Sequence, residues 1–301
     1  MVPPARILWQ RAALIQSLRV FFIDRGYLEV DTPVRIPAPA PELHIEAEPA
    51  GDWYLQTSPE LCMKRLLAAG IPKIFQICNC FRRQERGHRH LPEFAMLEWY
   101  RVASDYRDLM AECEELFRFV AERLGLGGRL MVAGEEVALD GPWERLTVAE
   151  AFRRHASLSV AEALADDCFD EVLVRDVEPR LGRRRPTFLC DYPAELGALA
   201  RLKPDDPTVA ERFEIYIAGL ELANGFSELA DPVEQRRRFE QERAAMARLG
   251  RVPGPMPEPF LGALSSMGPA AGIALGIDRL VMLVVGADTI DQVVPFSPES
   301  L

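Results

Sequence analysis

Apolar residues recur at helical spacing over 7–25, with Leu8, Ala12, Ile15, Leu18 and Phe22 on one face and Gly26 as the stop. Tyr27 to Val30 reads as a short strand leading into Asp31-Thr32-Pro33. Residues 35–52, rich in Pro, Ala and Glu, predict an extended loop, and Tyr54 to Gln56 a short strand. Ser58-Pro59-Glu60 carries the start signals of a helix: a capping hydroxyl, a proline at the first helical position and an acid in the first turn. That helix should run to about Gly70. Residues 73–82 and 94–101 alternate, which predicts two antiparallel strands around a polar loop from Arg83 to Pro92.

A second long helix is predicted over 106–124, then a Gly-rich turn, a short strand, a helix from Thr147 and another near 160–180. Thr187 to Tyr192 reads as a strand, and 212–217 with 219–224 as a hairpin around Ala218-Gly219. A charged helix over 231–249 and a Pro-rich loop over 252–259 follow. Gly272 to Gly276 is a small-residue strand meeting an apolar helix from Ile277. Neighbouring strands are joined by short connections, so the fold class is α+β with a mostly antiparallel sheet flanked by helices. Neither a Walker A sequence nor a dinucleotide-binding glycine pattern occurs.

The net charge of −11 disfavours a non-specific nucleic-acid binder. Of the basic residues only Lys64, Lys73 and Lys203 are lysines. The six cysteines lack paired zinc spacing; Cys78 and Cys80 share a strand face and read as core or pocket thiols. The longest apolar run, Leu280 to Ala287, is far short of a membrane span, and no signal peptide is visible. The expectation is a soluble cytoplasmic protein with reduced thiols.

Three constellations carry candidate chemistry. Glu98 and Tyr100 project from one strand face, with Arg82 on the matching face of the preceding strand. Such groups need water or a ligand to satisfy them, and a half-exposed sheet would supply water. Glu214 and Glu221 can approach one another on the hairpin as two carboxylates without a basic partner in sequence, which suits Mg²⁺ shared with substrate phosphates. Alternatively they are two solvated acids on opposite faces. Arg279 stands in the first turn of an apolar helix, where an anion, or a nearby acid, would relieve its conflict with the helix dipole.

In this order, the stretches Gly26 to Pro33, Arg82 to Tyr100 and Gly272 to Leu280 are similar to motifs 1, 2 and 3 of the class II aminoacyl-tRNA synthetases, lysine type. The resemblance runs from about residue 8 to 298. It implies one catalytic domain over 1–301 with a small helical insertion around 145–186. It also implies an AMP-forming ligase that uses ATP and Mg²⁺. Arg82 and Arg279 would be the catalytic arginines, and Arg82, Arg83, Gln84, Leu91, Glu221, Leu222, Gly276 and Arg279 the ATP site. Glu214 and Glu221 would hold Mg²⁺. Ser58, Pro59, Glu60, Glu98, Tyr100, Asn224, Phe226, Glu228 and Ala274 would form the amino-acid pocket, with Glu60 on one amino group and Glu98, Tyr100 and Glu228 at the distal ammonium.

Leu97-Glu98-Trp99-Tyr100-Arg101, and Ala274 where the synthetases usually have Gly, resemble the branch that joins (R)-β-lysine to translation elongation factor P. That branch lacks the anticodon-binding barrel, for which the residues before the resemblance leave no room. The resemblance therefore implies elongation factor P as partner, lysine or β-lysine as small substrate, no stable tRNA binding, no membrane and a homodimer built on motif 1. Gln84, where Glu is usual, and Leu91, where Asn is usual, depart from the pattern. The alternatives are a stand-alone lysine-activating ligase charging tRNA or a small amine, and a non-catalytic regulatory paralogue.

Overall fold

The computed structural model describes residues 3–301. Helix α1 (Ala5–Asp24) ends before Gly26, whose φ of 74° reverses the chain into β1 (Leu28–Glu29). The segment expected to be loop holds two short strands, β2 (Arg35–Ile36) and β3 (Pro49–Ala50), which flank β4 (Trp53–Leu55) in a small sheet. Two-residue strands are too short to show alternation, so periodicity could not have found them. Helix α2 (Glu60–Ala68) precedes the long strands β5 (Lys73–Phe81) and β6 (Glu93–Val102) and the capped helix α3 (Tyr106–Arg123).

A hairpin of β7 (Arg129–Val132) and β8 (Glu135–Ala138) leads to β9 (Glu144–Thr147). The helical stretch comprises α4 (Val148–His155), α5 (Val160–Ala165) and α6 (Phe169–Val172), then one π and one 3₁₀ turn. The continuous helix expected near 160–180 is thus broken. Asp167, in the left-handed region at φ 53°, marks the break. Strands β10 (Thr187–Pro193), β11 (Val209–Ile217) and β12 (Leu220–Ser227) follow, then α7 (Pro232–Arg248), α8 (Glu258–Ala263), β13 (Ala270–Gly276) and α9 (Ile277–Val285).

The eight-stranded sheet runs β1-β5-β6-β13-β12-β11-β10-β9. Its inner pairings are antiparallel, and β1 on β5 and β9 on β10 are parallel. One face packs on α1, α3 and α9: Phe75, Leu97, Trp99, Ile273 and Leu275 join Leu14, Phe22 and Leu116 in the main core. There Phe22 stacks on Phe75 at 5.0 Å. The buried face of α1 is Leu14, Ser17, Leu18, Phe21 and Phe22, whereas the expected Leu8, Ala12 and Ile15 are only half-buried. Apolar residues encircle this helix, so periodicity did not select the face. The other sheet face meets α2 and α8 through Ile74 and Tyr100 and leaves a cleft beside them. Among the described residues, no helix is long and apolar enough to cross a membrane.

Candidate active site

The cleft is built by strand register. Gln76, Glu98, Ala274, Asn224 and Glu214 stand opposite one another across β5, β6, β13, β12 and β11. The next row is Ile74, Tyr100, Gly272, Phe226 and Arg212. Alternation sends both rows to the face opposite Trp99 and Ile273. The cleft encloses about 610 Å³.

One end is acidic. Glu98, 1% exposed, accepts from the Ser58 hydroxyl at 2.6 Å and from the Tyr100 hydroxyl at 2.7 Å. Ser58 also accepts from the Glu60 backbone N–H, which fixes the start of α2, although Pro59 rather than Ser58 holds the cap position. Glu228, 2% exposed, lies behind Gly272: a Cβ there would overlap the Tyr100 ring and the Glu228 carboxylate. Lys64 of α2 pairs with Glu60 at 2.5 Å and with Glu228. Burial, reinforced by Glu60, pushes Glu98 up to about 8. Burial also pushes Glu228 up to about 8 against the pull of Lys64.

The other end is basic. Arg82 stacks over Phe94 at 5.1 Å and meets Glu85 only at 3.8 Å, and its Nε is buried without a partner. A guanidinium held this loosely can receive an anion. Arg279 donates to the Glu221 carbonyl at 2.9 Å, the Glu221 carboxylate at 3.2 Å and the Arg89 carbonyl at 3.2 Å. Its Nη2 lies 2.6 Å from His90 Nε2, which must accept because guanidinium only donates. Burial, and then Arg279 itself, lowers the His90 pKa and keeps the imidazole neutral.

A β-bulge completes this end. Ile215 pairs with Ala223 but Tyr216 with Glu221, so Leu222 is the extra residue. Strict alternation would separate Glu221 from Asn224; the bulge brings both to the cleft. Glu214 does have a basic partner: Arg212 donates to it at 2.6 Å and Tyr216 at 2.7 Å. This corrects the expectation of two acids without one. Burial raises Glu214, Arg212 pulls it back and Glu221 adds to the rise. Among the described residues no three His, Cys, Asp or Glu side chains gather to hold a metal unaided. Glu214 and Glu221 therefore fit Mg²⁺ only in the form in which phosphate oxygens supply further ligands.

Of the expected residues, Ser58, Glu60, Glu98, Tyr100, Asn224, Phe226, Ala274, Arg82, Gln84, Leu91, Glu221, Leu222, Gly276 and Arg279 line the cleft. Gln84 holds a left-handed φ of 64° in the loop after β5. Leu91 and Leu222 are buried and also belong to the core. Pro59, Glu214 and Glu228 are buried outside the lining. Arg83 points elsewhere, paired with Glu46 at 2.9 Å. Lys64, His90, Arg212 and Gly272 were missed as site residues. Gly272 and Arg212 share a strand face with Tyr100 and Glu214, a signal that register alone converts into contact.

Residues 4–300 match the family of class II tRNA synthetases (D, K and N). The chain is 41% identical over 303 residues to the elongation factor P–(R)-β-lysine ligase of Vibrio vulnificus, covering 95% of this chain and 94% of that protein. It is 39% identical to the ligase of the same name from Erwinia tasmaniensis, covering 96% and 94%. It is 38% identical to that from Klebsiella pneumoniae, covering 98% and 95%.

Proposed function

From a chain that belongs to the class II tRNA synthetases of the D, K and N type, we propose an ATP-dependent ligase. It activates (R)-β-lysine as an adenylate and passes the acyl group to a lysine side chain of elongation factor P, the activity its relatives' names describe. The observation that carries this reading is one cleft with Arg82 and Arg279 at one end and Glu60 and Glu98 at the other, with Glu228 buried behind Gly272. A diamino acid bound between them presents its carboxylate to the arginines and its ammonium groups to the acids.

Arg82 would hold that carboxylate against the α-phosphate. A carboxylate oxygen attacks the α-phosphorus and the bond to pyrophosphate breaks. Arg279, oriented by Glu221, Arg89 and His90, would hold the leaving pyrophosphate charge. Mg²⁺ held by Glu214 and Glu221 would neutralise phosphate charge. The ε-amine of the acceptor lysine then attacks the acyl carbon, loses a proton and expels AMP. The protein's share of the rate is positioning and charge neutralisation.

Ala274 faces Glu98 across β6 and β13, and its methyl would favour the amino group shifted to the β-carbon. We also infer a homodimer in the cytoplasm that binds no tRNA stably. Exposed Trp9, Ile23 and Leu28 on α1 and β1 support the first point, and six free cysteines the second. Light scattering tests the dimer. ATP–pyrophosphate exchange with (R)-β-lysine and L-lysine, followed by mass spectrometry of added elongation factor P, tests the function. Exchange with neither refutes it; charging of tRNA but not of the factor replaces it with the tRNA reading.

A further inference from the structure

We propose that Lys64 is a built-in counter-ion that sets at two the number of cationic groups the amine pocket accepts. The proposal rests on the diamino-acid reading above and adds a specificity-determining residue to it. Lys64 is one of three lysines in the chain and is 1% exposed. Its Nζ meets Glu60 Oε1 at 2.5 Å and also the Glu228 carboxylate, and lies 5.1 Å from the Phe226 ring centre and 6.0 Å from that of Phe260. Burial lowers the pKa of such an amine, but Glu228 and Glu60 more than offset it, so the ammonium persists.

The titratable groups facing it are Glu60 on its own helix, Glu98 and Tyr100 from β6, and Glu228 after β12. Three carboxylates less one ammonium leave two acidic positions. One ammonium on a ligand would leave a buried acid to keep its proton, and three would overcharge the pocket. Lys64 also joins the two subsites, because a single Nζ touches both the acid assigned to the nearer amine and one assigned to the distal amine. It lies outside the lining of the cleft and acts on substrate through those acids, so it is a positioning residue.

The test is Lys64→Met, which keeps the stem against Phe226 and Phe260 and removes the charge. In pyrophosphate exchange at about pH 7, KM for the diamino acid should rise at least about tenfold, with kcat within about threefold. KM should still be falling between about pH 8 and 9, where the wild-type value has levelled. Lys64→Arg, which keeps the charge, should stay within about threefold of wild type.

A second readout needs no activity. Acids whose folded pKa is raised cost stability as pH climbs from the unfolded value toward the folded one, so Tm of Lys64→Met should go on falling above about pH 8, where the wild-type fall, with Glu98 and Glu228 at about 8, levels. Wild-type KM and Tm profiles in Lys64→Met would overturn the proposal. So would a folded Lys64→Arg that behaves like Lys64→Met, or a Lys64→Met chain that is unfolded throughout about pH 5 to 8. Wild-type protein that exchanges with no diamino acid refutes the proposed function instead, and the two Tm slopes still decide the role of Lys64.

Discussion

Binding of the diamino acid should release protons, and its affinity should follow pH. In the empty pocket Glu98 and Glu228 are both pushed up to about 8, so at about pH 6 each is ionised roughly one time in a hundred. Two ammonium groups need both carboxylates. Removing a proton two units below the pKa costs about 2.7 kcal/mol per group. KM for (R)-β-lysine should therefore fall about tenfold per pH unit if one proton leaves and up to about a hundredfold if both do, levelling near pH 8. Substrate amines, with pKa values in the lysine range, stay charged throughout. The assay is KM by pyrophosphate exchange from about pH 6 to 9, paired with calorimetry in two buffers of different ionisation enthalpy to count the protons. A flat KM with no proton release would refute the reasoning, for it would mean that both acids are already ionised in the empty pocket.

Three further outcomes are expected. Arg82→Ala should lower exchange about a hundred- to a thousandfold with Tm nearly unchanged; near-normal exchange would remove Arg82 from the α-phosphate. Gly272→Ala places a methyl into the Tyr100 ring and the Glu228 carboxylate, and should cost about 1–3 kcal/mol by chemical denaturation and weaken amino-acid binding. Wild-type stability and KM in that variant would show that Tyr100 moves aside freely. Ala274→Gly should shift the ratio of kcat/KM values toward L-lysine by a factor of about ten, on the scale of about 1–3 kcal/mol for a methyl-sized change; an unchanged ratio would acquit Ala274.

What was legible in the sequence was whatever a local pattern encodes. The alternation of β6 placed Glu98 and Tyr100 on one face, and Ala218-Gly219, both at positive φ, is the two-residue turn that sets the β11–β12 hairpin. The parallel margins of the sheet were illegible, because β1 and β9 pair with β5 and β10 across intervening elements and carry too few residues to signal direction. The site failed to show for the same reason. Lys64 reads as an ordinary helix cation one turn after Glu60; only folding brings Glu228 to its other side and makes it part of the pocket. Arg212 reads as a neighbour of Glu211, yet the strand face gives it to Glu214.

Glu221 shows most sharply where local rules stop. Parity along β12 assigns it to the face opposite Asn224, so strict alternation cannot place Glu221 and Asn224 together on the face that carries Glu214. The bulge at Leu222 shifts Asn224 onto the face of Glu221 while Leu222 itself stays in the core. One inserted residue thus reconciles two demands that alternation cannot meet together: the Glu221 carboxylate and the Asn224 amide, three residues apart, in the same cleft. The pairing of Arg279 with both the carbonyl and the carboxylate of Glu221 then ties β12 to the first turn of α9. The residue beside the bulge thus also orients that arginine.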